Sequence, residues 1–475
     1  MEAVTTGDTG SGKRRKALVF LDYDMLVRHF VLAGAFAELE RRYHVRYVFH
    51  AVSTSPKKGL HVDPATLGLG DWTSFEIPRV RMGSWDKIYC ITALHNQRNT
   101  KNFAYRRQIM ADIRGWSRTY WYQLLATPPL FGLIRRKLLG EMGVYDPLAR
   151  FIAAEKPDIV VHPSILAGYF VNELTQICPA RGIPLVLLMN SWDNPSTKAM
   201  NTGLPDRLVV WGPQTRRHAI DYMKMPPDRV LEFGAPQFAV YRDPIAEDDA
   251  ELRAMFRAPP EVPIILYAGV SKSVDETAHL EALDRAIAAA EIPPCHVIYR
   301  PHPWRGGLVA GEKNFFDMPF RHVTMDPHME SYYRRVADRP EQGFDMADYR
   351  ATARLLRLVR GIISPLSTML LEAVMHGLPV IMFWPDGPRT TVGQTIELGM
   401  KLPHFAEFWG PEGIQICTEG AALAPACRRM LVEHQTPAVS AALAAHARGY
   451  VVLDGPSYAT RLADLADELV AKRAA

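Results

Sequence analysis

Short, unbroken apolar runs alternate with longer stretches of helical periodicity along most of the chain. Residues 17–21 read as a buried strand. From 26 to 42, apolar residues at Leu26, Phe30, Ala33, Phe36, Ala37 and Leu39 predict a helix. Residues 45–52 predict the next strand, and more are predicted at 74–80, 158–162, 184–189, 207–211 and 230–233. The pattern breaks over 241–263, where Asp243, Pro244, Glu247, Asp248, Asp249, Pro259, Pro260 and Pro263 suggest a linker. It then restarts, with strands predicted at 264–268, 296–300, 321–324, 361–364 and 379–384. Apolar strands separated by amphipathic helices predict parallel sheets covered on both faces. The expected fold class is α/β, with two Rossmann-like domains facing a cleft. The expected divisions are a disordered 1–15, a first domain over 16–242, a linker over 243–262, and a second domain over 263–475 that ends in a closing helix.

Composition narrows the class. Of 475 residues, 48% are hydrophobic and 22% charged, which excludes a disordered scaffold, a collagen-like fibre and a coiled-coil rod. No apolar run approaches the ~20 residues of a membrane-spanning helix. The five cysteines, Cys90, Cys178, Cys295, Cys417 and Cys427, include no C-x-x-C pair. Neither a zinc site nor a disulfide framework is implied, and a reducing compartment fits. Basic residues at 13–16 precede an apolar stretch that Asp22 and Asp24 cut too short for a signal-peptide core. A cytoplasmic protein is expected. A net charge of +4 is too small a bias to imply nucleic acid, and no nucleic-acid partner is expected.

Two N-terminal motifs carry candidate chemistry. Gly7-x4-Gly12-Lys13 imitates a phosphate-binding loop, but Arg14 follows where Ser or Thr belongs, and the loop precedes a strand. Asp22-Tyr23-Asp24 follows the first strand, at the end where α/β sheets place chemistry. Three functional readings stand: a phosphohydrolase nucleophile–acid pair resembling the haloacid dehalogenases, an Asp-x-Asp metal motif of the GT-A kind, or carboxylates on the acceptor side of a cleft. A solvated turn with Asp24 capping a helix is the bland alternative.

The densest chemistry lies in the second half. Residues 361–384 read as strand, turn, helix, strand. Ser367 or Thr368 can cap the helix, Gly377 suits its end, and Pro379 follows. Uncapped amides and a positive dipole end beside two hydroxyls make a phosphate site. Glu372 lies one turn down the same face, within an apolar run, and needs a partner; ribose hydroxyls are suitable donors. Phosphate above and ribose beside describe a nucleotide. Upstream, prolines 301 and 303 fix the backbone around His302, and Arg300 and Arg305 supply cations for a diphosphate.

Arg300-Pro301-His302-Pro303, followed by Ser364-Pro365-Leu366-Ser367-Thr368-Met369-Leu370-Leu371-Glu372 and His376-Gly377-Leu378-Pro379-Val380, resembles the donor domain of GT-B glycosyltransferases. The likeness is to the group with a His-Pro and a Ser-Ser/Thr motif, which includes bacterial sialyltransferases, Kdo transferases and CDP-glycerol glycerophosphotransferases. It implies that His302, Ser367 and Thr368 contact the donor phosphate and that Glu372 contacts the ribose. It also leans towards CMP- or CDP-linked donors over UDP-linked ones. The implied enzyme is a glycosyltransferase of surface-polysaccharide synthesis, such as lipopolysaccharide or capsule, with a nucleotide-activated sugar as substrate and a glycan or glycolipid acceptor. No cofactor and no metal are expected. Asp24 or Asp22 would deprotonate the acceptor if the enzyme inverts, with His162, Asp193, Asn194 and Lys198 on the acceptor side.

Residues 96–140 stand apart. Arg98, Lys101, Arg106, Arg107, Arg114, Arg118, Arg135, Arg136 and Lys137 face Asp112 as the one acid, with Phe103, Tyr105, Trp116, Tyr120, Trp121, Tyr122 and Phe131 between them. That mixture suits an anionic membrane surface, single-stranded nucleic acid, or a solvated helical excursion whose aromatics pack inward. Membrane contact would make the protein peripheral on the inner membrane. Three other functions share parts of this evidence: a hydrolysing nucleotide-sugar 2-epimerase, a phosphohydrolase using Asp22 and Asp24, and a non-catalytic glycan-assembly protein with the same fold.

Overall fold

The computed structural model describes residues 14–51, 60–166, 168–270, 274–303, 305, 307–309, 311–338, 348–385 and 402–474. The loop-like 7–13 motif and Trp304 lie outside them.

Seven strands form the first sheet: β1 (Lys16–Leu21), β2 (His44–His50), β3 (Trp72–Phe75), β4 (Ile159–His162), β5 (Leu185–Leu188), β6 (Arg207–Val210) and β7 (Val230–Glu232). Six form the second: β8 (Ile264–Ala268), β9 (His296–Arg300), β10 (Val323–Met325), β11 (Gly361–Ser364), β12 (Val380–Phe383) and β13 (Ile414–Cys417). Their orders are β3-β2-β1-β4-β5-β6-β7 and β10-β9-β8-β11-β12-β13, and every pairing is parallel. Val19 pairs with both Tyr47 and Val161, which makes β1 central. The central strands β4, β5, β8, β9, β11 and β12 are buried along their whole length. Burial on both faces is why they read as continuous apolar runs. Strand order reverses at β1/β4 and at β8/β11, the points where such sheets bind ligands beyond their carboxyl ends.

Seven helices matter below: α1 (Arg79–Gln97), α2 (Phe103–Arg114), α3 (Trp116–Leu125), α4 (Pro128–Met142), α5 (Tyr349–Leu358), α6 (Thr368–Met375) and α7 (Tyr458–Ala474).

The predicted strands are present, and the departures have local causes. The single helix expected over 26–42 is broken into Asp24–Leu26, a π-helical turn at Val27–Val31, and Ala37–Arg42. Gly34, at φ 69°, takes a left-handed conformation in the break. The strand expected over 74–80 stops at Phe75, and α1 starts directly after Pro78. The expected linker contains a helix, Asp249–Met255, closed by a reciprocal capping box between Asp248 and Glu251. Its Leu252 and the following Phe256 join the core, so this segment is packed against the body. Strand β13 was not predicted; its Ile-Gln-Ile-Cys alternation is too short to stand out.

Helix α7 closes the chain on the first sheet, away from the second-half strands that precede it. Its Tyr458, Leu462, Leu465 and Ala466 pack with Val19, Leu21 and Phe30. Arg42 donates to Asp464 (2.7 Å) and Asp467 (2.8 Å), and the Tyr43 hydroxyl donates to Asp467 (2.8 Å). An amphipathic helix can bury its stripe on any apolar face, so its sequence did not say which sheet it joins.

One core cluster runs across both halves, from Phe20 and Leu187 to Leu266 and Ile362. Trp192, in the loop after β5, is fully buried at their junction. Its ring lies 4.9 Å from Phe405, 5.6 Å from Phe408 and 5.5 Å from Tyr450. Its Nε1 donates to Gln214 at 2.7 Å. Trp192→Ala is expected to cost about 4 kcal/mol of stability in urea titration, and Trp192→Phe distinctly less, because the first leaves a cavity between the halves. Equal, small losses for both would show that the two halves are held elsewhere.

Candidate active site

The carboxyl ends of the two sheets face each other across a cleft of about 150 Å³. The second half lines it with Ala268 and Gly269 after β8, Arg300 to Pro303 after β9, Tyr349 and Thr352 of α5, and Ser367, Thr368, Met369 and Glu372 at α6. The first half contributes Met25, Arg28, His29, Asn190, Ser191, Trp211, Gln237 and Phe238. A second lobe of 330 Å³ shares Arg28, Gln237 and Tyr349 as a common wall. Thus Arg300, His302, Ser367, Thr368 and Glu372, far apart in sequence, meet at one place.

Helix α6 begins with open amides. Ser367 occupies the N-cap position with extended backbone, φ −143° and ψ 161°, but its hydroxyl makes no capping bond. It instead pairs with Ser364 Oγ at 2.8 Å, and Ser364 donates to the Ala268 carbonyl at 2.7 Å. The expected cap is therefore replaced by a tie to β8, which leaves the helix start facing the cleft. Directly after β8, Gly269 allows a close approach: a side chain there would meet the carboxylate of Glu276 at 2.6 Å.

Glu372 is buried and accepts a hydrogen bond from the Tyr241 hydroxyl. Tyr241 is the protein partner that sequence reasoning left unnamed. Burial pushes the Glu372 carboxyl up to about 7, against the opposing pull of Tyr241, Arg28 and Arg300. Arg300 donates to Asp326 at 2.8 Å while lining the cleft. Arg305 does not serve the cleft as expected; it is buried in ion pairs with Glu276 and Glu312. His302 is held down to about 3, first by burial and then by the fields of Arg28, Lys198 and Arg305.

Sequence reasoning missed the first-half side of the cleft. Arg28 and His29 sit on the π-helical turn, inside what reads as an ordinary helix. Arg28 Cζ lies 4.2 Å from the centre of the Tyr349 ring. His29 Nδ1 lies 2.9 Å from the Asn190 carbonyl oxygen. A carbonyl only accepts, so Nδ1 carries the proton and Nε2 is the basic nitrogen. Burial and Arg28 lower this imidazole to about 3, so it is neutral.

The structure takes the predicted carboxylate base out of the cleft. Asp22 is fully buried and accepts from the amides of Tyr169 and Phe170, each at 3.2 Å. Burial raises it to about 7 in spite of those bonds. Asp24 is held by the amides of His61 (2.8 Å) and Val62 (2.9 Å) and by His61 Nδ1 (2.7 Å). Both carboxylates fasten loops, and neither lines the cleft. His162 is buried beside Asp22, with Nδ1 on the Phe20 carbonyl at 2.9 Å. Asp193, Asn194 and Lys198 form a local knot: Lys198 pairs with Asp193 at 2.6 Å, and Asn194 donates to it at 3.2 Å. Burial alone would raise Asp193, but Lys198, His404 and Ser191 hold it at about 2. These residues stand behind Asn190 and Ser191, which do line the cleft. Among the described residues, no three His, Cys, Asp or Glu side chains are grouped to hold a metal ion.

No family profile matches the chain, and no curated protein matches it. Solved structures do. One, assigned as a UDP-N-acetylglucosamine 2-epimerase from Listeria monocytogenes, aligns with TM-score 0.53 at 11% identity, over 94% of this chain and 95% of that one. A glycosyltransferase of kitacinnamycin aligns with TM-score 0.49 at 12% identity, over 96% and 99%. The wall teichoic acid polymerase TagF aligns with TM-score 0.46 at 13% identity, over 97% and 90%. At 11% identity the likeness to the first of these establishes fold alone: an α/β chain of two facing Rossmann-like halves, of GT-B type.

The raised carboxyl of Glu372 has a measurable sign. A group favoured in its protonated form adds stability below its ordinary value of 4.5 and loses it as pH rises through about 7. The melting temperature of the wild type, minus that of Glu372→Gln, should fall across that window and stay flat below it. A difference that instead rises with pH would mean that Glu372 is a stabilised anion.

Proposed function

We propose that the protein is a metal-independent glycosyltransferase that moves a sugar, or a polyol phosphate, from a nucleotide-activated donor to a glycan or glycolipid acceptor. One observation carries this reading. Cations from both halves, the open start of α6 and a buried carboxyl converge on one cleft. Arg28 and Arg300 with the α6 amides suit a diphosphate, and Glu372 one turn below suits a ribose. Cytidine donors are favoured over uridine ones on the likeness of the His302 and Ser367 segments to that group of transferases.

In the proposed transfer, the acceptor oxygen bonds to the donor's transferred atom as the bond to the nucleotide phosphate breaks. The leaving phosphate's charge falls on Arg28, Arg300, His302 and the α6 amides. The acceptor proton passes to His29 Nε2, the basic nitrogen left by the Asn190 bond. Burial first and the Arg28 field second depress His29; a bound diphosphate offsets the second of these, which raises the basicity of the imidazole. Contact between the halves excludes water from the reaction.

The test is thermal stability with CMP, CDP, UDP, GDP and ADP, with and without magnesium. A nucleotide at about 100 times its Kd adds about 2.7 kcal/mol. A shift with a cytidine or uridine nucleotide, indifferent to magnesium and lost in Ser367→Ala and His302→Ala, is expected. His29→Gln should keep that shift and lower kcat by about 10²–10⁴-fold, while Asp24→Asn should lose stability without that loss of kcat. Turnover of a nucleotide sugar with no acceptor present would favour the epimerase reading. A shift with magnesium and phosphate analogues alone would favour the phosphohydrolase.

A further inference from the structure

Helices α1 to α4 build a small core of their own around Cys90, Ile91, Leu94, Met110, Tyr122 and Ala126. Helix α3 turns Thr119 and Tyr122 inward. Helix α4 leans on this core through Phe131, Ile134 and Leu138, yet none of its residues is fully buried. The outward faces should then be polar. Much of what they present is apolar or aromatic instead. On α3, Trp116 is 42% exposed, Tyr120 56%, Trp121 57% and Leu124 50%, and on α4 Leu133 is 63% exposed. Positions 116, 120 and 124 follow one another along a single helical face. The Trp116 and Tyr120 rings lie 5.5 Å apart, so the surface is continuous there.

Charge identifies what covers this surface. Arg118, Arg136 and Lys137 are exposed on the same two helices, and Arg107 lies over the Trp116 ring at 5.8 Å. The nearby acids are few: Asp112 accepts from Gln108, and Glu141 sits 3.8 Å from Lys137. A protein interface of this kind would be depleted of lysine at its centre. Indole and phenol rings beside cations match the headgroup zone of an anionic bilayer. No helix among the described residues is long and apolar enough to cross a membrane, so the contact would be at the surface.

We propose that α3 and α4 dock the protein on an anionic lipid bilayer, with the rings among the headgroups and the cations on lipid phosphates. This surface is independent of the donor cleft. Full-length protein is floated with vesicles of phosphatidylcholine, with or without phosphatidylglycerol, at low and high salt. Binding is expected to the anionic vesicles alone and to weaken at high salt. Arg118→Ser, Arg136→Ser and Lys137→Ser combined should weaken it by about a hundredfold, roughly fivefold per cation. Brominated lipid should quench tryptophan fluorescence in the wild type. Trp116→Phe with Trp121→Phe should lose most of that quenching while melting at the wild-type temperature and keeping any nucleotide-induced shift. No flotation, equal flotation with neutral vesicles, unchanged quenching in the double variant, or tighter binding to single-stranded RNA than to anionic vesicles would each overturn the proposal.

Discussion

A guanidinium from the first half of the chain lies on an aromatic ring from the second, with Arg28 Cζ 4.2 Å from the centre of Tyr349. The contact places a cation beside the buried titratable groups of the cleft. Arg28 helps to lower His29 and His302, and it pulls against the burial that raises Glu372. Burying a cation is costly, and the ring face offsets part of that cost. Burial, aided by Arg28, keeps the cleft's imidazoles neutral.

The two sheets explain why the charge collects there. A parallel sheet covered on both faces leaves its polar termini at the strand ends, and only a reversal of strand order opens a crevice between them. Each half has one such point. In the first, the space beyond β1 and β4 is filled by Asp22 and His162 together with the Tyr169–Phe170 backbone. Gly168 is necessary to that packing, since a side chain there would meet Asp22 at 2.0 Å. In the second half, the space beyond β8 and β11 stays open and is lined by Gly269, Ser367 and Thr368. The same topological device thus holds a loop in one half and opens a polar-lined cleft in the other.

Residues 79–142 illustrate a different balance. Their helices bury enough apolar surface to form a local core, but α3 also turns the rings of Trp116, Tyr120 and Trp121 outward, and α4 turns out Leu130 and Leu133. Arg106 reaches back from this excursion to the Thr197 carbonyl, and Arg135 donates to the Thr202 carbonyl at 2.6 Å. The basic residues therefore divide between those that fasten the excursion to the first sheet and those that remain outside.

Much of the fold was legible in the sequence, because strands buried on both faces must be apolar throughout, and glycine and proline mark where they end. The second-half site was legible for a related reason. Prolines around His302, hydroxyls at a helix start and a carboxylate one turn later are local features, and local spacing preserves them. The first-half side was hidden. Nothing in the periodicity of 26–42 distinguishes a π-helical turn from an α-helix, so Arg28 and His29 read as helix surface. The prominent Asp22-Tyr23-Asp24 drew attention in their place, although amide donors from distant loops hold both carboxylates. The sequence by itself determined most of the strands, their parallel pairing class and the residues offered at the start of α6. Only the tertiary structure decided which first-half residues face that chemistry and which sheet receives α7. Those outcomes depend on contacts between residues far apart in the chain, and no local periodicity records them.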